Sequence, residues 1–229
     1  RFLGVPPLKP LRKIRYIEIT SEILQQEGIE SVTIRKVAER AGCTSAVLYK
    51  HFENKEHLIM LASVRFLEPY IIEFIKLSSR EDLSSIQIDL LLWKCFIDEA
   101  FRNKPYYELM FFSDHRDMLE DCVYEYYQMF PEVQRRFDGF SASIIFSNNL
   151  QERELLRLRR AAHAGVLSLE DAALLSRLTV AVFNGIFTQY SGITMTDSQI
   201  RSAAEECYQL IYTLFQRFLP AGVPLDTTP

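Results

Sequence analysis

Glycine is scarce in this sequence, with 8 among 229 residues, about half the roughly 7% usual for globular proteins. Hairpins and bulges draw on glycine, so the shortage argues against sheet and for helix. It also excludes glycine-built chemistry: there is no GxSxG, no phosphate-binding glycine loop and no dinucleotide fingerprint. The four cysteines, Cys43, Cys95, Cys122 and Cys207, stand far apart without a CxxC. That spacing excludes a zinc ligand set and a disulfide framework, and fits a reduced, cytoplasmic compartment. His51 and His57 fall in separate segments, so they do not form the i, i+4 pair of a helical metal site. No nucleophile–base arrangement stands out, so neither an enzyme nor a metal or cofactor is expected. No apolar run approaches the roughly 18 residues of a membrane span. The first ten residues, RFLGVPPLKP, carry three prolines and do not read as a secretory signal.

What is present is ordinary in total and uneven in distribution. Hydrophobic residues make up 48% and charged residues 24%, and 26 Lys+Arg against 30 Asp+Glu give a net charge of −4. Mild acidity by itself argues against a nucleic-acid binder. Divided at residue 57, the charge says otherwise. Residues 1–57 hold 10 basic and 7 acidic side chains, a net +3, whereas residues 58–229 hold 16 and 23, a net −7. A basic head on an acidic body suits a DNA reader with a separate regulatory domain.

Apolar spacing of three and four recurs nearly throughout and predicts an all-α fold. The first helix is expected over about 11–27, with Gly28 as its stop, after an arm at 1–10. Short helices follow over about 33–40 and 44–51. Asn54 is placed to cap a longer helix, straight from Lys55 to Glu68 until Pro69 kinks it. Further helices are expected at about 84–102, 105–112, 115–129 and 139–163, then two long ones at 168–190 and 197–219, before a frayed tail at 220–229. The last two have a near-heptad rhythm: Ala172, Leu175, Thr179, Val182 and Ile186 in one, and Ile200, Ala204, Cys207, Ile211, Leu214 and Phe218 in the other. The first of them is apolar also at Leu174, Leu178, Ala181 and Phe187. Two apolar faces on one helix suggest one for the core and one for a second copy of the chain.

Residues 33–52, TIRKVAERAGCTSAVLYKHF, read as a helix-turn-helix. Val37, Ala38, Ala41, Leu48 and Phe52 can pack the two helices, Gly42 can take the positive φ of the turn, and Thr44 can cap the second helix. Facing outward are Arg35, Lys36 and Arg40 on the first helix and Ser45, Ala46, Val47, Tyr49 and Lys50 on the second. Small residues let a helix sit deep in a major groove, and Tyr and Lys at its far end can reach phosphates.

The stretch from Lys13 to Ile59 resembles the N-terminal domain of the TetR family of bacterial transcriptional regulators. It does so through Ile17, Ile23-Leu24, Gly28, Val32-Thr33-Ile34, Val37-Ala38, Ala41-Gly42, Leu48-Tyr49, His51-Phe52 and Lys55-Glu56. The resemblance implies that Arg35, Ser45, Ala46 and Val47 read base edges and that Thr33, Tyr49, Lys50, His51 and Lys55 hold phosphates. Ala46 departs from a frequent glycine of the family. Lys9, Arg12, Lys13 and Arg15 can add contacts from the arm and first helix. The resemblance further implies a DNA-binding domain over 1–57, a ligand-binding and dimerisation domain over 58–229, and a homodimer built through the last two helices. Such a dimer would bind a pseudo-palindromic operator in double-stranded DNA and be released from it by a small-molecule effector. The alternative reading is a helical small-molecule-binding protein that keeps the DNA-binding head as a relic.

Between residues 90 and 130 large apolar side chains are dense. Trp93, Phe96, Phe111, His115 and Tyr126 are the expected lining of a ligand cavity there, with Asp114, His115 and Arg116 as a polar cluster that could orient a ligand head.

Overall fold

A computed structural model describes residues 8–131 and 139–225, and every regular element among them is helical. The head comprises α1 (Leu8–Glu27), α2 (Ile34–Ala41), α3 (Ser45–Leu48) and α4 (Lys55–Ser63). The body follows as α5 (Glu68–Ser78), α6 (Ser85–Arg102), α7 (Lys104–Phe112), α8 (Leu119–Met129), α9 (Gly139–Ile145), α10 (Leu150–His163), α11 (Leu169–Gln189) and α12 (Asp197–Phe218). In the head, α1 packs on α2 and α4, and α2 on α3; in the body, α6 packs against α5, α10 and α12, while α11 lies against both α10 and α12. The expected arm falls mostly outside the described residues, as does the end of the tail.

The termini follow from local chemistry. Gly28 has φ 82° and closes α1 as the sequence suggests. Gly42 has φ 69°, the Gly42 N–H donates to the Glu39 carbonyl at 3.2 Å, and the Cys43 N–H donates to the Ala38 carbonyl at 3.0 Å. That is a complete Schellman termination, and it makes the turn between α2 and α3 rigid. Thr33 caps α2 by accepting from the Lys36 N–H, and Asn54 caps α4 by accepting from the His57 N–H at 2.7 Å. Thr44 has the extended backbone of a cap but no side-chain cap bond to α3. Full capping boxes, Ser84 with Gln87 and Thr196 with Gln199, start α6 and α12.

Three expectations need revision. The helix from Lys55 does not run straight to Glu68: it ends at Ser63, and residues Val64–Leu67 form a 3₁₀ turn. Pro69 sits in the first turn of α5, where proline is tolerated, and the backbone ahead of it has already left α geometry. The stretch 139–163 is two helices, because Asn149 captures the Gln151 and Glu152 N–H groups and so starts α10 afresh. Phe187 is fully buried among Phe101, Phe112 and Phe183 and belongs to the core face of α11.

The second face of α11 therefore consists of Leu174, Leu178, Ala181 and Gly185, all exposed. Leu174 is 44% exposed, and Leu210 on the neighbouring α12 is 45% exposed.

Candidate nucleic-acid interface and ligand cavity

The helix-turn-helix forms as its sequence requires. Val37, Ala38, Leu48 and Phe52 are buried together beneath α1, whose Ile17, Ile23 and Leu24 complete the small core. Outside it, Arg35, Ala46, Tyr49, Lys50 and Lys55 are exposed, Tyr49 at 58%. Thr33 is exposed, and its hydroxyl, accepting in the cap, keeps its proton free to donate. Ser45 is half-buried. Val47 is half-buried and packs on the head core. His51 is half-buried with its ring edge-on to Tyr16 at 5.4 Å, so it supports the head core as well as facing its rim.

Much of the head's positive charge is already engaged. Arg35 pairs with Glu39 one turn away at 2.8 Å. Glu27, at the end of α1, binds both Lys36 and Arg40, and these cations hold its carboxyl below the usual range. Lys13 is turned inward to Glu125 of α8. Lys50, Arg12 and Arg15 make no ion pair among the described residues, and Lys55 has only a 3.8 Å contact with Glu56. The pairs on Arg35, Lys36 and Arg40 are solvent-facing, so phosphate oxygens can displace their carboxylates at little cost.

Head and body meet at a clamp around Glu125. Its carboxylate receives Lys13 from α1 at 2.5 Å and His57 from α4 at 3.4 Å. These contacts, His57 first, hold the Glu125 carboxyl down at about 2. Lys13 also lies over the Phe52 ring at 5.0 Å, and the Glu53 N–H donates to His57 Nδ1 at 3.3 Å, which leaves Nε2 to face Glu125. A second tie is Tyr106 of α7. Its hydroxyl donates to the Leu24 carbonyl at 2.5 Å and its ring stacks on Phe66 of the 3₁₀ turn at 3.8 Å. Sequence reading placed Lys13 among possible DNA contacts; the clamp is its partner here.

Inside the body, Trp93 and Phe96 of α6 line a cavity with Tyr70, Leu150, Arg153 and Arg157. Phe111 adjoins it across the Arg153 side chain. A larger cavity of about 170 Å³ lies on the far side of Arg157, between α5, α6, α9 and α10. Two of the expected lining residues lie elsewhere. Tyr126 is buried beside Tyr127 and Phe130, and its hydroxyl donates to Glu68 at 2.7 Å. His115 is exposed with Asp114 and Arg116 on the link after α7.

The polar group that does face the cavity is on α10. The Arg157 side chain, only 10% exposed, binds both Asp89 and Glu154. Burial pushes both carboxyls up, Glu154 further under the charge of Asp89, while Arg157 draws both back and a hydrogen bond with Glu154 also lowers Asp89. Sequence reading missed this group because QERELLRLRR looks like a solvated charge run. A signal was there: Glu154, Leu158 and Ala161 step by four and three, and all three are buried on the face that meets α6 and α11.

Residues 17–60 match the family described as bacterial regulatory proteins, tetR family. Over 185 residues the chain is 23% identical to the nucleoid occlusion factor SlmA of Aliivibrio fischeri, covering 80% of this chain and 86% of that protein. It is 26% identical over 143 residues to an HTH-type transcriptional regulator of Staphylococcus aureus, covering 57% and 74%. Among solved structures it is similar to SmeT, the repressor of a multidrug efflux pump of Stenotrophomonas maltophilia. The TM-score is 0.57 at 16% identity over 95% of this chain and 96% of that one. SmeT has also been solved with triclosan, and that complex matches with a TM-score of 0.54 at 16% identity, over 96% and 98%.

Proposed function

We infer, from a chain that belongs to the tetR family of bacterial regulatory proteins through residues 17–60, that this transcriptional regulator is an effector-released repressor working as a homodimer in the cytoplasm. The observation that carries the reading is the exposed ridge of Arg35, Ala46, Tyr49, Lys50 and Lys55 on a rigidly turned α2–α3 pair within the matched segment. Thr33, Ser45, Val47 and His51 flank that ridge and complete the DNA-binding set. The head, 1–57, reads DNA, and the body, 58–229, binds the ligand and pairs the copies.

Two heads on one face of a dimer would enter successive major grooves about 34–36 Å apart, which requires a pseudo-palindromic operator. The exposed Leu174, Leu178, Ala181 and Gly185 of α11, with Leu210 of α12, supply the apolar surface for pairing. These leucines are already more than half covered within the chain, so covering the remainder contributes about 0.5–1.5 kcal/mol each. Among solved relatives, SmeT has been captured with triclosan bound, and a small molecule filling the body of this chain is the corresponding expectation. The ligand shifts the DNA-competent arrangement only by binding the other arrangement better. The Glu125 clamp and Tyr106 are the contacts through which a change in the body reaches α1 and α4.

The test is selection of bound sequences from random DNA with the full chain. Enrichment of an inverted repeat supports the reading, whereas recovery of no preferred sequence favours the relic-head alternative. A solution mass near twice 26.7 kDa is expected, falling to the monomer in Leu178→Glu. Wild-type protein that is monomeric while binding the repeat refutes the dimer.

A further inference from the structure

The Arg153 side chain is buried, 3% exposed, and no carboxylate among the described residues lies within ion-pair distance of it. Its Nη1 has no hydrogen-bond partner. The guanidinium is held by aromatic rings instead, 5.4 Å from the centre of Tyr70, 5.8 Å from Phe96 and 5.7 Å from Phe111. Cation–π contacts of this kind are worth about 0.5–2 kcal/mol each, against a desolvation cost of several kcal/mol for a buried ion. The three rings therefore hold the charge without neutralising it. The next cation along the helix, Arg157, is fully committed to Asp89 and Glu154 and offers Arg153 no relief. Desolvation weakens Arg153's hold on its proton, with the Tyr70 hydroxyl opposing that effect.

Arg153 lines the cavity it shares with Tyr70, Trp93, Phe96 and Leu150; the Trp93 indole N–H in that lining is turned to the Glu154 carboxyl. A bare guanidinium thus faces a space walled by flat rings. A cation is repelled there by Arg153, since the charge of Arg157 is already balanced by Asp89 and Glu154. A neutral apolar ligand leaves the buried Arg153 N–H unpaired, which costs about 1–3 kcal/mol. An anion satisfies that donor and cancels the bare charge, and a planar carboxylate matches the guanidinium fork. In this state the cavity has about 10 Å³ of free interior, room for about one water. The ligand must displace Leu150, the first residue of α10, or spread α10 from α6.

We propose that the Arg153 cage is the acid-binding subsite of the protein, and that its ligand is a small organic acid with a flat, apolar body. Calling that ligand the effector rests on the regulator reading above; the subsite itself does not.

Trp93 is the only tryptophan of the chain and touches the cavity, so its fluorescence reports occupancy directly. The experiment titrates the full chain with matched pairs of equal shape, benzoate against benzamide and cinnamate against cinnamamide. Saturable change with the acids, at an affinity at least about tenfold above the amides, is expected. Arg153→Gln should abolish that preference while leaving amide binding within about twofold, and Arg153→Lys should restore part of it. Equal affinity for acid and amide in the wild type overturns the proposal without any variant being made, as does the absence of any response to the acids at millimolar concentration. Acid preference retained in a folded Arg153→Gln overturns it as well. The outcome is independent of DNA: acid binding without release from a selected sequence leaves the subsite standing and refutes only its role as the effector site.

Discussion

The head and the body are built with the same charged side chains and use them in opposite ways. On the head, Arg35, Lys36 and Arg40 meet Glu39 and Glu27 in water, where each pair is readily exchanged for another anion. In the body, Arg157 is paired with Asp89 and Glu154 where little of any of the three side chains reaches solvent. Exposed pairs keep a surface available for binding. Buried pairs hold helices in a fixed relation, here α10 on α6, and so define the walls of a cavity.

The largest expected effect comes from breaking the buried side of this contrast. Asp89→Ala leaves the Arg157 charge short of a partner inside the body and should lower stability by about 3–5 kcal/mol in chemical denaturation at fixed protein concentration. Joint replacement, Asp89→Leu with Arg157→Met, should lose much less than the single change. A loss in the double variant as large as in Asp89→Ala would show that packing, not charge, holds that helix pair. Next come the exposed residues. Tyr49→Ala and Lys55→Ala should each weaken DNA binding about tenfold on all sequences alike, with the Lys55 change lowering the salt slope by about one. Arg35→Ala should also relax base preference. None of the three should shift the thermal melt; a shift would mean that these side chains support the head rather than its ligand.

The smallest effect is expected at the half-buried Glu125, which lies between the two cases. Its carboxyl is depressed in the folded chain from an ordinary 4.5 to about 2. It therefore stabilises the head–body clamp fully above about pH 4.5, and that contribution fades as pH falls towards 2. Glu125→Gln should remove this acid dependence from the melting temperature. Affinity of the ligand-free protein for the selected DNA should stay within about twofold, while the factor by which ligand weakens that affinity drops by about fivefold. Unchanged coupling would leave Tyr106 as the tie that matters.

The helices were legible where termini carry their own signal. Gly28, Gly42 and Asn54 act as local chemistry demands, and the helix-turn-helix follows from its apolar spacing. What the sequence concealed depends on neighbours far along the chain. Pro69 marks a break, but where the backbone leaves α geometry is decided by the packing of Val64 and Leu67, both buried. Phe187 sits at a position that periodicity alone gives to either face, and the cluster of Phe101, Phe112 and Phe183 decides for the core. Arg153 was the hardest to see, because a buried arginine is told from a solvated one only by what lies over it. The rings over it come from α5, α6 and α7. Trp93 and Phe96 line a cavity, in keeping with the dense apolar area around them, whereas His115 is exposed, because a polar triplet in sequence says nothing about whether a helix covers it.

The 3₁₀ turn at Val64–Leu67 gives the connection between head and body the geometry of a screw. A 3₁₀ residue rises about 2.0 Å and turns about 120°, against about 1.5 Å and 100° in an α-helix. If these four residues pass into α form, the link shortens by about 2 Å and the head rotates by about 80° about the axis of α5. Rotation is thus tied to translation at a fixed pitch, and a displacement of only about 2 Å along the link goes with a large turn of α3.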